Sequence, residues 1–323
     1  MSTTARPTGK PAPRTMWPGV ATLRARSVYI AFAALVAFDL LVTPGFRNPV
    51  VVRSLLFEAA PLILIALGQS LAIGTRGIDL SVGSVMALSS AVIGITLSLG
   101  QGVSIAAGIG AGLLCGIVNG LLVAIFRIAP LISSLSLLVA ARGLAQALLG
   151  GARLDLPFDG PIAAIGQVTL LGLPLTALLA LAVAALFAFV VRRTTPGRYA
   201  IFVGASRTAA LLAGHPVRAT LAFVYGLSGL LAGIAGVFAT ARLGAADANY
   251  IGVQFELDAV AAAVIGGTPL SGGRISTLGT VFGVLLLVVL DASFIMNNVN
   301  ANYAQILKAA FIVGALYVQR AGA

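Results

Sequence analysis

From residue 28 to residue 318, apolar stretches long enough to form helices follow one another with little interruption, and they leave this chain one solvent, a lipid bilayer. Runs near 28–43, 54–74, 83–99, 103–126, 131–150, 173–191, 219–240, 277–295 and 302–318 approach the roughly 20 helical residues that cross about 30 Å of hydrocarbon. Backbone polar groups in lipid must be satisfied within the segment, so such runs read as helices. A tenth run, Leu257 to Gly267, is too brief to span unaided and reads as a half-helix or a bent continuation of the 254–256 region. Counting it predicts an all-α polytopic membrane protein of about ten transmembrane segments. Nine or eight full spans with re-entrant pieces fit the same runs. Composition agrees: 59% of the 323 residues are hydrophobic and only 9% are charged, whereas a soluble domain has about a quarter charged.

The basic residues report topology. Between Arg192 and Arg218 lie 27 residues with five arginines and no acid, and short basic loops resist translocation. With ten spans starting inside, the tail 1–26, Arg76, Arg127, the 192–218 loop, Arg274 and Arg320 are cytoplasmic. Arg47, Arg53, Arg153 and Arg242 are outside. Fourteen basic residues then lie inside against four outside, which puts both ends in the cytoplasm. The net charge of +11 is therefore topological and implies no nucleic-acid partner. Residues 1–26 read as an uncleaved basic tail and 27–320 as a single transmembrane domain. Within the long loop, Arg207 to Gly214 reads as a short helix stopped by Gly214 and barred from continuing by Pro216. A helix projected into the cytoplasm offers a surface to a soluble partner.

Two glycine series predict close helix packing: Gly108, Gly112, Gly116 and Gly120 on one span, and Gly226, Gly229, Gly233 and Gly236 on another. A weak internal repeat also shows. Phe57 to Gly94 runs helix, polar loop with Asp79, small-residue helix, and Phe223 to Gly267 repeats the plan from the opposite side of the membrane, as inverted repeats of transporters do.

Catalysis has little to stand on. Lys10 precedes proline and Lys308 precedes alanine, so no Walker A loop exists. One cysteine and one histidine do not build a metal centre. Gly226-Leu227-Ser228-Gly229 matches the pattern of intramembrane serine proteases, but His215 lies in the soluble loop and not on a neighbouring span. Charged residues at membrane depth tend to mark pathways. Arg142 lies about twelve residues into its span with Gln146 one turn later; a pathway role competes with interhelical glue or an arginine held by carbonyls. Asp79 opens a helix, where capping of free N–H groups competes with substrate contact. Asn119, an amide inside the 103–126 run, joins the pathway candidates. Asp247, Asn249, Gln254, Glu256 and Asp258 form the richest outward polar cluster, suited to hydrogen-bonding a neutral polyol or to plain solvation. Glu58, Asp291 and Lys308, near span ends, fit snorkelling.

At Gly77-Ile78-Asp79-Leu80-Ser81-Val82-Gly83, and from Ala263-Val264-Ile265-Gly266-Gly267 through Leu270-Ser271-Gly272-Gly273-Arg274, the sequence resembles the permease subunit of ribose-type sugar ABC importers over about 28–320. That resemblance implies a bacterial inner-membrane permease with no cofactor of its own, and a coupling helix at Arg207, Thr208, Ala209, Ala210 and Gly214 with threonine where the family has glutamate. Arg76-Gly77 stands where the family usually has two glycines. Two segments look closer to the galactofuranose-type permease: Ala246-Asp247-Ala248-Asn249 with Phe255-Glu256-Leu257-Asp258-Ala259, and Ala141-Arg142-Gly143-Leu144-Ala145-Gln146. This implies a separate ATPase subunit, a periplasmic sugar-binding protein and a second permease. Rival readings are a secondary transporter using Asp39, Glu58 or Asp291, and a non-transporting sensor or assembly factor.

Overall fold

Each apolar stretch is a helix whose ends fall where the sequence supplies a stop. This computed structural model describes residues 27–157 and 159–320; the basic tail, with Lys10, Arg14, Arg24 and Arg26, lies outside the described residues. In chain order the helices are α1 (Ser27–Val42), α2 (Pro49–Gly74), α3 (Val82–Ile95), α4 (Gln101–Ala124), α5 (Pro130–Leu148), α6 (Gly160–Gln167), α7 (Leu175–Arg193), α8 (Thr195–Ala205), α9 (Arg207–Leu212), α10 (Val217–Leu243), α11 (Phe255–Ile265), α12 (Thr277–Met296) and α13 (Ala301–Arg320). Helices α2, α4, α5, α7, α10 and α12 are long and apolar enough to cross a bilayer. Helices α1 and α3 are apolar but shorter, and α11 has 11 residues, too few to cross alone. The fold is thus all-helical apart from two-residue strand pairs. Strand β1 (Leu154–Asp155) pairs antiparallel with β4 (Ala245–Ala246), and β2 (Thr169–Leu170) with β3 (Leu173–Pro174).

Local chemistry explains the breaks that matter. Asn48 accepts the Val50 N–H at 2.9 Å and Pro49 occupies the first turn, so α2 starts there. The helix ends at Gly74 because Arg76 takes a left-handed φ of 65° and the Gly77 N–H returns to the Ala72 carbonyl at 3.0 Å. The arginine found where glycine is usual therefore keeps the glycine-like backbone. Its guanidinium donates to the Ala205 carbonyl at 2.6 Å, tying the break after α2 to the end of α8.

Helix α10 is the axis of the packing. It lies against α4, α2 and α3, and most of its length is buried. Its contact with α4 is the two glycine series meeting. A Cβ on Gly116 would stand 2.9 Å from Gly229 Cα, and one on Gly229 would stand 2.6 Å from Gly116 Cα. Bare backbones meet here because lipid gives no hydrophobic drive for association, leaving dispersion at close range to hold helices together. Gly108 and Gly236 instead meet α3, at Ile93 and at Ser89. Gly226 departs from the expectation. A Cβ there would meet only Ile117, at 3.8 Å, so it stands at the edge of the stripe.

Candidate functional site

The break between α2 and α3 carries Asp79 into the interior, where it is buried. Oδ1 accepts from the Ser81 N–H at 3.1 Å, the Ser81 hydroxyl at 2.6 Å and the Asn119 amide at 3.3 Å; Oδ2 accepts from the Ser228 hydroxyl at 2.9 Å. The Ser133 hydroxyl in turn donates to Asn119 Oδ1 at 2.6 Å, and Ser134 donates to the Ile78 carbonyl at 3.2 Å. One carboxylate thus ties the start of α3 to α4, α5 and α10. Simple capping, one of the two readings open from sequence, does not describe it. Ser81 is the N-cap residue, and Asp79 takes both its N–H and its hydroxyl in an Asx turn while two side chains from further away, Asn119 and Ser228, share the remaining lone pairs. A carboxylate tolerates such burial only with a donor set of this kind.

A second polar group forms where α5 meets the 244–254 loop. Arg142 donates to the carbonyls of Ala248 and Ile251, each at 2.7 Å, and of Gly252 at 3.1 Å. One turn on, the Gln146 amide donates to Asn249 Oδ1 at 2.9 Å, and Asn249 Nδ2 reaches the Gly151 carbonyl at 3.0 Å. Asp247 Oδ1 accepts the N–H groups of Asn249 and Tyr250, which folds the loop onto itself. The guanidinium fork therefore holds backbone, the carbonyl-bound arrangement among the readings open from sequence. Glu256, in the first turn of α11, is half-buried beside Gly83, and its Oε2 has no hydrogen-bond partner among the described residues. The first residues of α3 and the loop before α11 touch at Gly83 and Gly252, so the two polar groups are neighbours.

Asp258 belongs to neither group. Lys308 Nζ lies 2.8 Å from Asp258 and 2.8 Å from Asp291, linking α13 to α11 and α12. The lysine side chain is only 16% exposed, so Lys308 and Asp291 belong to a partly buried ion cluster and are not snorkelling ends. Glu58 lies 3.5 Å from Arg242. Asp39 is buried, accepts from the hydroxyls of Thr43 at 2.6 Å and Ser293 at 2.7 Å, and pins α1 to α12.

In the 192–218 loop, Ser206 caps α9 by accepting the Ala209 N–H at 3.2 Å. The helix is over by Leu212, Gly214 has a φ of 74°, and the His215 N–H returns to the Ala210 carbonyl at 2.9 Å. The His215 ring packs tilted against Tyr199 and edge-on against Phe202 of α8, at 4.6 and 4.8 Å between centroids. Of the residues the resemblance assigns to the coupling helix, Ala210 does not lie on its outer surface. Ala210 is 0% exposed and packs inward, whereas Leu211 and Leu212 are exposed, Leu212 to 86%. The outward face consists of Arg207, Thr208, Ala209 and these leucines.

Residues 51–316 match the family model described as the permease component of a branched-chain amino acid transport system. The chain belongs to this permease family. It is 36% identical over 311 residues, 90% of this chain and 88% of the other, to the galactofuranose transporter permease YtfT of Escherichia coli K12. It is 34% identical over 295 residues, 90% of this chain and 91% of the other, to the ribose import permease RbsC of Bacillus subtilis 168. Against the fructose import permease FruF of Bifidobacterium longum, the figures are 35% over 264 residues, 80% and 74%. No solved structure matches. The chain is a multi-pass inner-membrane permease subunit of the ABC-type sugar-importer family, a transport component and not an enzyme.

In this permease the hydroxyls that complete the Asp79 node, Ser81, Ser133 and Ser228, are absent from the pathway candidates drawn from the sequence. Ser228 was visible only inside a protease-like tetrapeptide. What could have marked them is their position. Ser228 lies on the glycine seam and Ser81 two residues from Asp79, whereas Ser133 reaches the node only through Asn119.

Proposed function

We propose that this permease forms the translocation path for a monosaccharide, galactofuranose-like before pentose or hexose, delivered by a periplasmic binding protein and driven by a separate ATPase. The observation that carries the sugar assignment is a contact. The two segments with galactofuranose-type character, 141–146 and 246–259, meet through Arg142 on the Ala248 carbonyl and Gln146 on Asn249. The 36% identity to a galactofuranose permease supports it. On this reading Asp79 and Asn119 line the inner half of the path, and Arg142, Gln146, Asp247, Asn249 and Glu256 shape its outer mouth. Asp258, engaged by Lys308, orders the mouth from behind. Two copies, or this chain with a second permease, enclose the path between them.

The topology has ten segments with both ends inside. The break–helix pairs α2–α3 and α10–α11 are its inverted repeats, and the loop carrying α9 is cytoplasmic. Helix α9 docks on the ATPase through Arg207, Thr208, Ala209 and Leu212, while buried Ala210 and the Gly214 turn fix its angle. Competition uptake in proteoliposomes holding the full complex tests the sugar. Unlabelled galactofuranose should displace labelled substrate at lower concentration than ribose or fructose does. Equal displacement by ribose overturns the galactofuranose assignment.

A further inference from the structure

Four arginines lie on the side the proposed topology places outside, against the usual charge bias, and two of them have their partners at hand. Arg47 donates to the Leu40 carbonyl at 2.9 Å, and Arg153 pairs with Asp155 at 2.7 Å. The other two converge on one pocket of about 250 Å³ lined by Val50, Arg53, Ser54, Phe57, Gly166 and Arg242. Arg53 Nε is buried there with no hydrogen-bond partner among the described residues. Among the described residues, Arg242 reaches only the Glu58 carboxylate, at the long distance of 3.5 Å.

We propose that this pocket binds the phosphate group of a phospholipid headgroup, clasped between Arg53 and Arg242. The charge is suited to it: two guanidinium groups against one carboxylate leave a single positive charge, which a phosphodiester monoanion neutralises. Guanidinium forks match phosphate oxygens two at a time. The depth is suited as well. Arg53 is in the first turns of α2 and Arg242 in the last turn of α10, the level at which helices leave the hydrocarbon for the headgroup layer.

The wall explains why a lipid is favoured over a free anion. Val50, Arg53, Ser54 and Phe57 share one face of α2 at i, i+3, i+4 and i+7. The rim residue Val50 is 64% exposed, and Phe57 lies two turns along the same face, so an apolar flank adjoins the cationic end. Gly166 closes the far side: a Cβ there would stand 3.2 Å from the Arg242 N atom, and its absence lets α6 rest against the end of α10. The volume is below the roughly 300 Å³ at which pockets for drug-sized ligands begin, which fits a headgroup and not a whole solute.

The test is native mass spectrometry of the full-length permease in detergent, titrated with short-chain phosphatidylglycerol. Arg53→Gln should weaken binding about tenfold, the scale of one charged hydrogen bond, with Arg53→Lys falling between. Glu58→Gln removes the competing carboxylate and should tighten binding about threefold, the scale of an exposed ion pair, a gain that misfolding cannot produce. Inorganic phosphate in large excess should not displace the lipid. Unchanged binding in Arg53→Gln, no gain in Glu58→Gln, or displacement by inorganic phosphate each overturns the proposal. So does a loss confined to capture of a soluble partner. The readout is indifferent to which leaflet supplies the lipid, so it stands or falls apart from the topology.

Discussion

The most consequential single residue is Asp79, because four donors spend themselves on one buried carboxylate. Asp79→Ala strands Ser81, Asn119 and Ser228 at about 1–3 kcal/mol for each group left without a partner, some of which repacking recovers. Thermal unfolding in detergent should show a clear loss for Asp79→Ala and a smaller one for Asp79→Asn, which keeps an acceptor oxygen. Equal melting of Asp79→Ala and the unsubstituted protein would remove the node from the account. Legibility at this scale followed electrostatics. Arg142 was visible because a guanidinium inside an apolar run has few bland explanations. Ser133 and Ser228 were not, because a hydroxyl in a small-residue helix packs as readily as it bonds. Lys308 was misread since its partners, Asp258 and Asp291, stand 50 and 17 positions away, and only the fold brings them together.

Among elements, the glycine seam gives a paired comparison. Gly229→Ala drives a methyl into the backbone of Gly116, with 2.6 Å available, and nothing there can yield except α4 itself. Gly226→Ala, three residues away, meets open space beyond Ile117. The first should lower the melting temperature of the membrane-embedded protein and the second should leave it unchanged. Matching losses would mean that α4 and α10 do not touch where the structure has them. The stripe was legible because glycine spacing at helical period has one structural use in lipid; its edge was not, since periodicity gives a face but not the crossing angle that decides where contact stops. The same limit appears at α9. The stop was readable in Gly214 and Pro216, but the Ser206 cap was not singled out, and burial of Ala210 depends on how α8 and α10 cradle the turn. Arg76 adds a mechanical link that no local pattern announces. It accepts a left-handed backbone and spends its guanidinium on Ala205, one residue before the cap of α9.

For the whole molecule, the long apolar helices were readable because hydrophobic length is dictated by the bilayer, while a short helix such as α11, with 11 residues, is placed by packing that hydrophobic length does not report. The proposed topology has a direct check. Single cysteines at Ser206 and Asp247, introduced after Cys115→Ala, should be labelled from opposite sides of the membrane, and labelling from one side discards the ten-segment arrangement. The central claim is that another subunit's ATP hydrolysis moves this permease through α9. The decisive measurement is sugar uptake and ATP hydrolysis in proteoliposomes containing the permease, its ATPase and the sugar-loaded binding protein. Uptake should require ATP and the ATPase subunit. Leu212→Asp, which puts a charge on the most exposed leucine of α9 without touching the membrane core, should insert normally yet lose most sugar-stimulated hydrolysis, because an unpaired charge at a closed interface is costly. Uptake that persists on an ion gradient alone, with neither ATP nor an ATPase subunit present, would contradict it.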